Sequence, residues 1–233
     1  ADFSGGHLSG DGGALLLRQI DRKDGISEAF SRCFTDRRDP RYCDHALREL
    51  SAQRLLVLAL GYEDLNDHAA LRADPLLALC VGKRDLLGAD RLHDPDKALA
   101  SSATLNRIEV GTQRQSKYHK IHADLPALQE TLLHLSVHFL PPDTDEVVLD
   151  FDNSDNPLHG EQLGRFFHGY YESYCYLPLY CFADNLLLWA ELLPADEAPI
   201  NAMIVALPKI VAAIRKRFPN VRIVIRCDSG FCR

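Results

Sequence analysis

The sequence predicts an α/β protein in two parts, a helical stretch over residues 1–140 and a mixed sheet over residues 141–233. Three observations carry this. Apolar residues recur at helical spacing as far as Leu140, and the Pro141-Pro142 pair then ends that regime. Beyond it, short runs rich in β-branched residues flank one long helix with an apolar face. A chain of 233 residues, 46% hydrophobic and 25% charged, buries a sizeable core and is neither disordered nor fibrous. The formal net charge of −7, with its acidic excess after residue 140, does not announce a nucleic-acid binder. A carboxylate-rich segment that acts on nucleic acid does so through bound divalent cations. Seven scattered cysteines without a Cys-x-x-Cys pair fit a reducing compartment. No apolar run approaches the roughly 18 residues of a membrane span, and the start carries no secretory pattern, so a cytoplasmic protein is expected.

In chain order, Ala14–Ile20 follows Asp11-Gly-Gly as a first helix. Asp44 is placed to cap a second, His45–Leu60, which Gly61 stops. Asp96–Ala100 and Thr104–Ile108, broken at Ser101-Ser102, read as two short helices compatible with a helix-turn-helix or with an ordinary hairpin. Arg107 on the second of these, with Arg114, Lys117 and Lys120 in an acid-free segment, are the candidate DNA contacts; a solvated charged face is the alternative. Leu125–Leu140 is a further amphipathic helix. Glu146–Asp152 reads as a buried strand. Tyr174–Ala183 and Leu186–Leu193 read as a hairpin turning at Asp184-Asn185. Pro199–Phe218 is a helix that Pro208 should kink or split, and Val221–Asp228 is a closing strand. Tyr170, Tyr171, Tyr174 and Tyr176 suit base stacking, but aromatic residues leading into a hairpin are more often core.

An aspartate ends both the first and the last of these strands. If those strands are parallel neighbours with the helix in their connection, Asp152 and Asp228 emerge at one sheet edge. Two carboxylates there suit Mg2+ or Mn2+, and two such ions about 3.5–4 Å apart support phosphoryl transfer on nucleic acid. Singly, each aspartate is as well explained by a turn.

Several tracts together resemble bacterial insertion-sequence transposases of the DDE class. They are Gly61–His68, Leu71–Leu77, Leu149-Asp-Phe-Asp152 with Asp155 and His159-Gly160, Phe166–Tyr171, Tyr174–Tyr180 and Arg226–Phe231. The resemblance implies a ribonuclease-H-like catalytic domain behind a helical DNA-binding region. It also implies two-metal cutting and joining of double-stranded DNA at terminal repeats, and a nucleoid-associated, cytoplasmic protein. On that pattern the first two catalytic, metal-holding aspartates are Asp152 and Asp228. Asp150, expected on the opposite face by strand alternation, is the less favoured ligand. The family's third carboxylate, a downstream Glu, is not found before the sequence ends at Arg233. The expectation is therefore an amino-terminal portion, incomplete in catalysis, with an incomplete mixed sheet whose last strand a homodimer could cover. Two rivals stand beside it: a DNA-binding remnant without chemistry, and a haloacid-dehalogenase-type phosphatase using Asp150 and Asp152.

Overall fold

The structure is a computed structural model, described here over residues 8–110 and 119–231. The chain divides into two compact units, 1–128 and 129–233, and the division falls inside one helix.

The first unit is built mainly of helices: α1 (Ala14–Asp24), α2 (Ile26–Ser31), α3 (Leu47–Ala59), α4 (His68–Leu71), α5 (Pro75–Val81) and α6 (Ser102–Glu109). The short strands β1 (Phe34–Asp36) and β2 (Ile121–Ala123) pair antiparallel. One buried cluster joins Ala14, Val57, Leu77 and Val81 to Ala98 and Leu99, and another joins Leu50, Ala100, Leu105, Ile108 and Ile121. The Asp74-Pro75 pair starts α5 as its chemistry dictates: the carboxylate accepts from the amides of Leu76 at 2.7 Å and Leu77 at 3.1 Å, and Pro75 occupies the first turn.

Two local expectations fail here, both because tertiary contacts outweigh propensity. Asp44 does not cap α3, which begins after Ala46 with the Glu49 carboxylate accepting the Ala46 amide at 2.9 Å. Asp44 instead accepts the amides of Leu92 at 2.7 Å and His93 at 3.1 Å, tying down a loop far along the chain. Residues 96–100 form no helix, so the helix-turn-helix reading loses its first member. That segment crosses the core as irregular backbone because side chains supply its hydrogen bonds. Gln53 accepts the Ala100 amide at 2.9 Å and donates to the Ala100 carbonyl at 3.0 Å. Arg91 donates to the carbonyls of Lys97 and Leu99, and the Leu99 amide donates to the Arg72 carbonyl at 3.0 Å. The segment passes so close to Gly88 that a Cβ there would lie 2.7 Å from the Ala98 nitrogen, at a φ of +82°. Gly88→Ala is therefore expected to cost about 2 kcal/mol or more of stability in urea denaturation; an unchanged midpoint would show that the loop gives way.

Helix α7 (Leu125–Phe139) carries the chain into the second unit, where β3 (Glu146–Asn153), β7 (Leu179–Ala183), β8 (Leu186–Glu191) and β9 (Arg222–Cys227) form a sheet in the order β8-β7-β3-β9. The β7–β8 hairpin turns at Asp184-Asn185, where Asp184 has φ +51°, and β3 pairs antiparallel with β7 and parallel with β9. Between β8 and β9 runs α8 (Pro199–Arg217), which is not split at Pro208. Val147, Leu149, Phe151, Leu179, Cys181 and Leu188 face a core closed by Leu133 and Val137 of α7 and by Ala206, Ile210 and Ile214 of α8. Trp189 is packed there, 4% exposed. Strand β9 is an edge of the sheet.

The stretch Tyr174–Ala183 is not one strand. Pro178 has no amide hydrogen for a ladder, and the chain changes sheets there. Upstream of it, β6 (Ser173–Tyr176) lies between β4 (Asn156–Pro157) and β5 (Phe166–His168) in a small second sheet. Downstream, β7 enters the main one. Among the described residues no helix is long and apolar enough to cross a membrane.

Candidate active site

The parallel pairing of β3 and β9 runs in register from Glu146–Arg222 to Phe151–Cys227. The next residue on each strand is an aspartate, so Asp152 and Asp228 follow the same last step at the carboxyl edge of the sheet. Both are exposed. Asp152 is also opposite Tyr180 of β7, and its carboxylate accepts the Asn153 amide at 2.9 Å. Asp228 opens a tight turn over Ser229–Phe231: its carboxylate accepts the Gly230 amide at 2.9 Å and its carbonyl accepts the Phe231 amide at 3.3 Å. Phe231, 4% exposed, plugs the core below. A buried ring thus fixes the turn that presents the carboxylate.

Asp150 does not point away from Asp152. Side chains alternate with a period of two along a strand, so residues 150 and 152 share the face opposite to the buried Val147, Leu149 and Phe151. What sets Asp150 apart is a partner. Arg226, in register with it on β9, donates Nε to Oδ1 at 2.9 Å and a terminal nitrogen to the other oxygen. That hydrogen-bonded guanidinium holds the Asp150 carboxyl below the usual carboxylate range, slightly opposed by desolvation. With both oxygens engaged, Asp150 is poorly placed as a nucleophile, which counts against phosphatase chemistry. The parallel register of β3 and β9 is what sets Arg226 beside Asp150.

Tyr171 is the neighbour that sequence reading assigned to the core. Its hydroxyl is pushed up first by burial and then by the negative charge of Asp155, Asp152 and Asp228. The phenol therefore shares an electrostatic neighbourhood with the two strand-end aspartates. Its ring packs on His168, centroids 5.0 Å apart.

Two exposed carboxylates on adjacent strand ends are an oxygen-only donor set, which suits a hard divalent cation such as Mg2+. Among the described residues no group of three or more His, Cys, Asp or Glu is placed to hold a metal. A cleft of about 380 Å³ in the first unit is lined by Asp44, Glu49, Lys83 and Arg91. Four of its charges are paired, Lys83 with Glu49 at 2.8 Å and Arg91 with Asp44 at 3.5 Å. Of the candidate DNA contacts, Arg107 in the last turn of α6 and Lys120 just before β2 are both exposed. Arg114 and Lys117 lie outside the described residues.

No curated protein matches the chain. A family model described as transposase DDE domain group 1 matches residues 1–233. The family acts as transposases on DNA, and its typical use of divalent metals agrees with the oxygen donors of Asp152 and Asp228. The chain belongs to the transposase DDE domain group 1 family.

Proposed function

We propose that this chain carries a ribonuclease-H-like catalytic fold that cuts and joins double-stranded DNA at the ends of a bacterial insertion sequence. Asp152 and Asp228 are its first two catalytic carboxylates. The observation that carries the reading is their shared register step on parallel β3 and β9. The sheet order, with an antiparallel hairpin on one side of β3 and a parallel strand on the other, supports it. Asp152 and Asp228 would hold Mg2+ or Mn2+, which supplies Lewis-acid activation of the attacking and leaving oxygens when bound. The chain's own part is to present two carboxylates from rigid strand ends and to keep Asp150 out of the set through Arg226. On this reading a third carboxylate comes from outside the described residues, and the 233-residue chain binds DNA without sustained cleavage. A partner strand from a second copy on the open β9 edge belongs to the same reading.

The test is binding of a labelled duplex at increasing salt. Low-salt binding that weakens with salt is expected. Arg107→Ala and Lys120→Ala are each expected to flatten the salt slope by about one, and an unchanged slope removes that residue from the interface. No duplex binding at low salt overturns the proposal. Release of phosphate from an aryl phosphate, lost in Asp150→Asn, would replace it with a phosphatase.

A further inference from the structure

We propose that the outward face of the small β4-β6-β5 sheet is a stacking platform for unpaired nucleotides, with Phe167 and Tyr174 as its rings and Arg165 as its cation. The inference rests on the transposase reading of the same unit and adds to it a site for single-stranded DNA.

Alternation along β6 sends Cys175 inward, fully buried with Leu177 and Ala195, and leaves Tyr174 outward. Phe167 of β5 is directly opposite Tyr174, and their rings meet edge to face with centroids 5.6 Å apart. The two rings are 57% and 49% exposed, and Tyr170 in the following turn is 84% exposed. The buried cluster on the inner face, Cys175, Leu177 and Ala195, does not include them, and their cross-strand contact with each other leaves much of both rings in solvent. The Arg165 guanidinium lies 4.8 Å above the Tyr174 ring. It is positioned by a 2.6 Å hydrogen bond to the Gly160 carbonyl. Glu161 approaches it only at 3.8 Å and is 94% exposed, a contact worth little in water.

An aromatic pair topped by a cation matches the two surfaces of a nucleotide: the base has a π face whatever its identity, and the phosphate is anionic. Placement favours a nucleic acid over a second protein copy. The sheet is spliced into the chain between the strand that ends beside Asp152 and the strand paired to it, with β4 starting at Asn156 and β7 at Leu179. Tyr171, in the turn between β5 and β6, feels the charge of both strand-end aspartates. The small sheet thus leaves and rejoins the main sheet at the paired residues Asn153 and Leu179, next to Asp152.

The experiment compares a labelled oligo(dT) single strand with a blunt duplex by fluorescence anisotropy in EDTA, using the whole chain. The double variant Phe167→Ala, Tyr174→Ala is expected to weaken single-strand binding roughly tenfold to a hundredfold and to leave duplex binding within about twofold. Tyr174→Trp is expected to restore single-strand binding, and its new indole emission is expected to be quenched as the strand binds. Because the rings are half exposed, urea midpoints should not move. Equal loss on both DNA forms, or no loss on either, overturns the platform. So does a concentration-dependent wild-type dimer that the double variant abolishes while DNA binding is unchanged, since a second copy then covers the face. Duplex binding carries the transposase reading, so its absence is seen separately from the failure of stacking.

Discussion

Asp152→Asn and Asp228→Asn are each expected to weaken Mn2+ binding by roughly a hundredfold, and the double variant to abolish it. Each substitution removes one negative charge and exchanges a carboxylate for a weaker carbonyl donor, and on the proposed reading these two carboxylates are the ligands the described residues supply. Both side chains are exposed and lie at strand ends, so the fold should be unaffected. Asp150→Asn is the control. Its carboxylate is committed to Arg226, and its loss should change Mn2+ affinity by no more than about twofold. Electron paramagnetic resonance of free Mn2+ during a titration measures the wild type and all four variants. Affinity that ignores both strand-end aspartates, or that collapses with Asp150→Asn alone, removes the two-carboxylate assignment.

The second large effect concerns acid. His45, 4% exposed, is pushed down to about 3 by burial and then by the positive charges of Lys83, Arg91 and Arg72, against the pull of Asp44. His68, fully buried beside Gln53 at 3.0 Å, is pushed down to about 4 by burial and then by Arg54. Both are neutral in the folded state and charge readily once unfolded, where the ordinary value is near 6.5. Stability is therefore complete above pH 6.5. It falls as pH drops toward 4, because the unfolded chain takes up protons the folded chain refuses. At about 1.4 kcal/mol per pH unit for each group, the loss by pH 5 is on the order of 4 kcal/mol, comparable with the lower range of whole-domain stabilities. Urea denaturation of the wild type at pH 7 and pH 5, followed by circular dichroism, should show this fall. His45→Gln and His68→Gln should each remove about half of it. A midpoint independent of pH, or the wild-type pH dependence kept in both variants, would mean that neither ring is held neutral.

Legibility from sequence differed sharply between the two units. In the second, β3, α7, α8 and β9 fall where period and punctuation place them, because each buries one face against a single core and that face is written locally. The parallel pairing of β3 and β9 that brings Asp152 and Asp228 to one edge was likewise an expectation from element order. In the first, Asp44 and residues 96–100 were misread because their partners lie tens of residues away. Gln53 acts as a strand partner for Ala100, and Asp44 caps a loop instead of the nearest helix. Neither interaction has a local pattern.

At the site the same distinction applies. The sequence by itself determined the fold class, the family resemblance and the place of an aspartate at the end of each of two strands, since strand periodicity and turn residues are properties of neighbouring positions. Only the tertiary structure decided that Asp150 is withdrawn by Arg226 and that Pro178 sends one apolar run into two sheets. Likewise, only the fold left Phe167 and Tyr174 outside the core instead of in it. Register and burial are set by which strands meet, and an aromatic residue reads the same in sequence whether the fold covers it or leaves it to solvent.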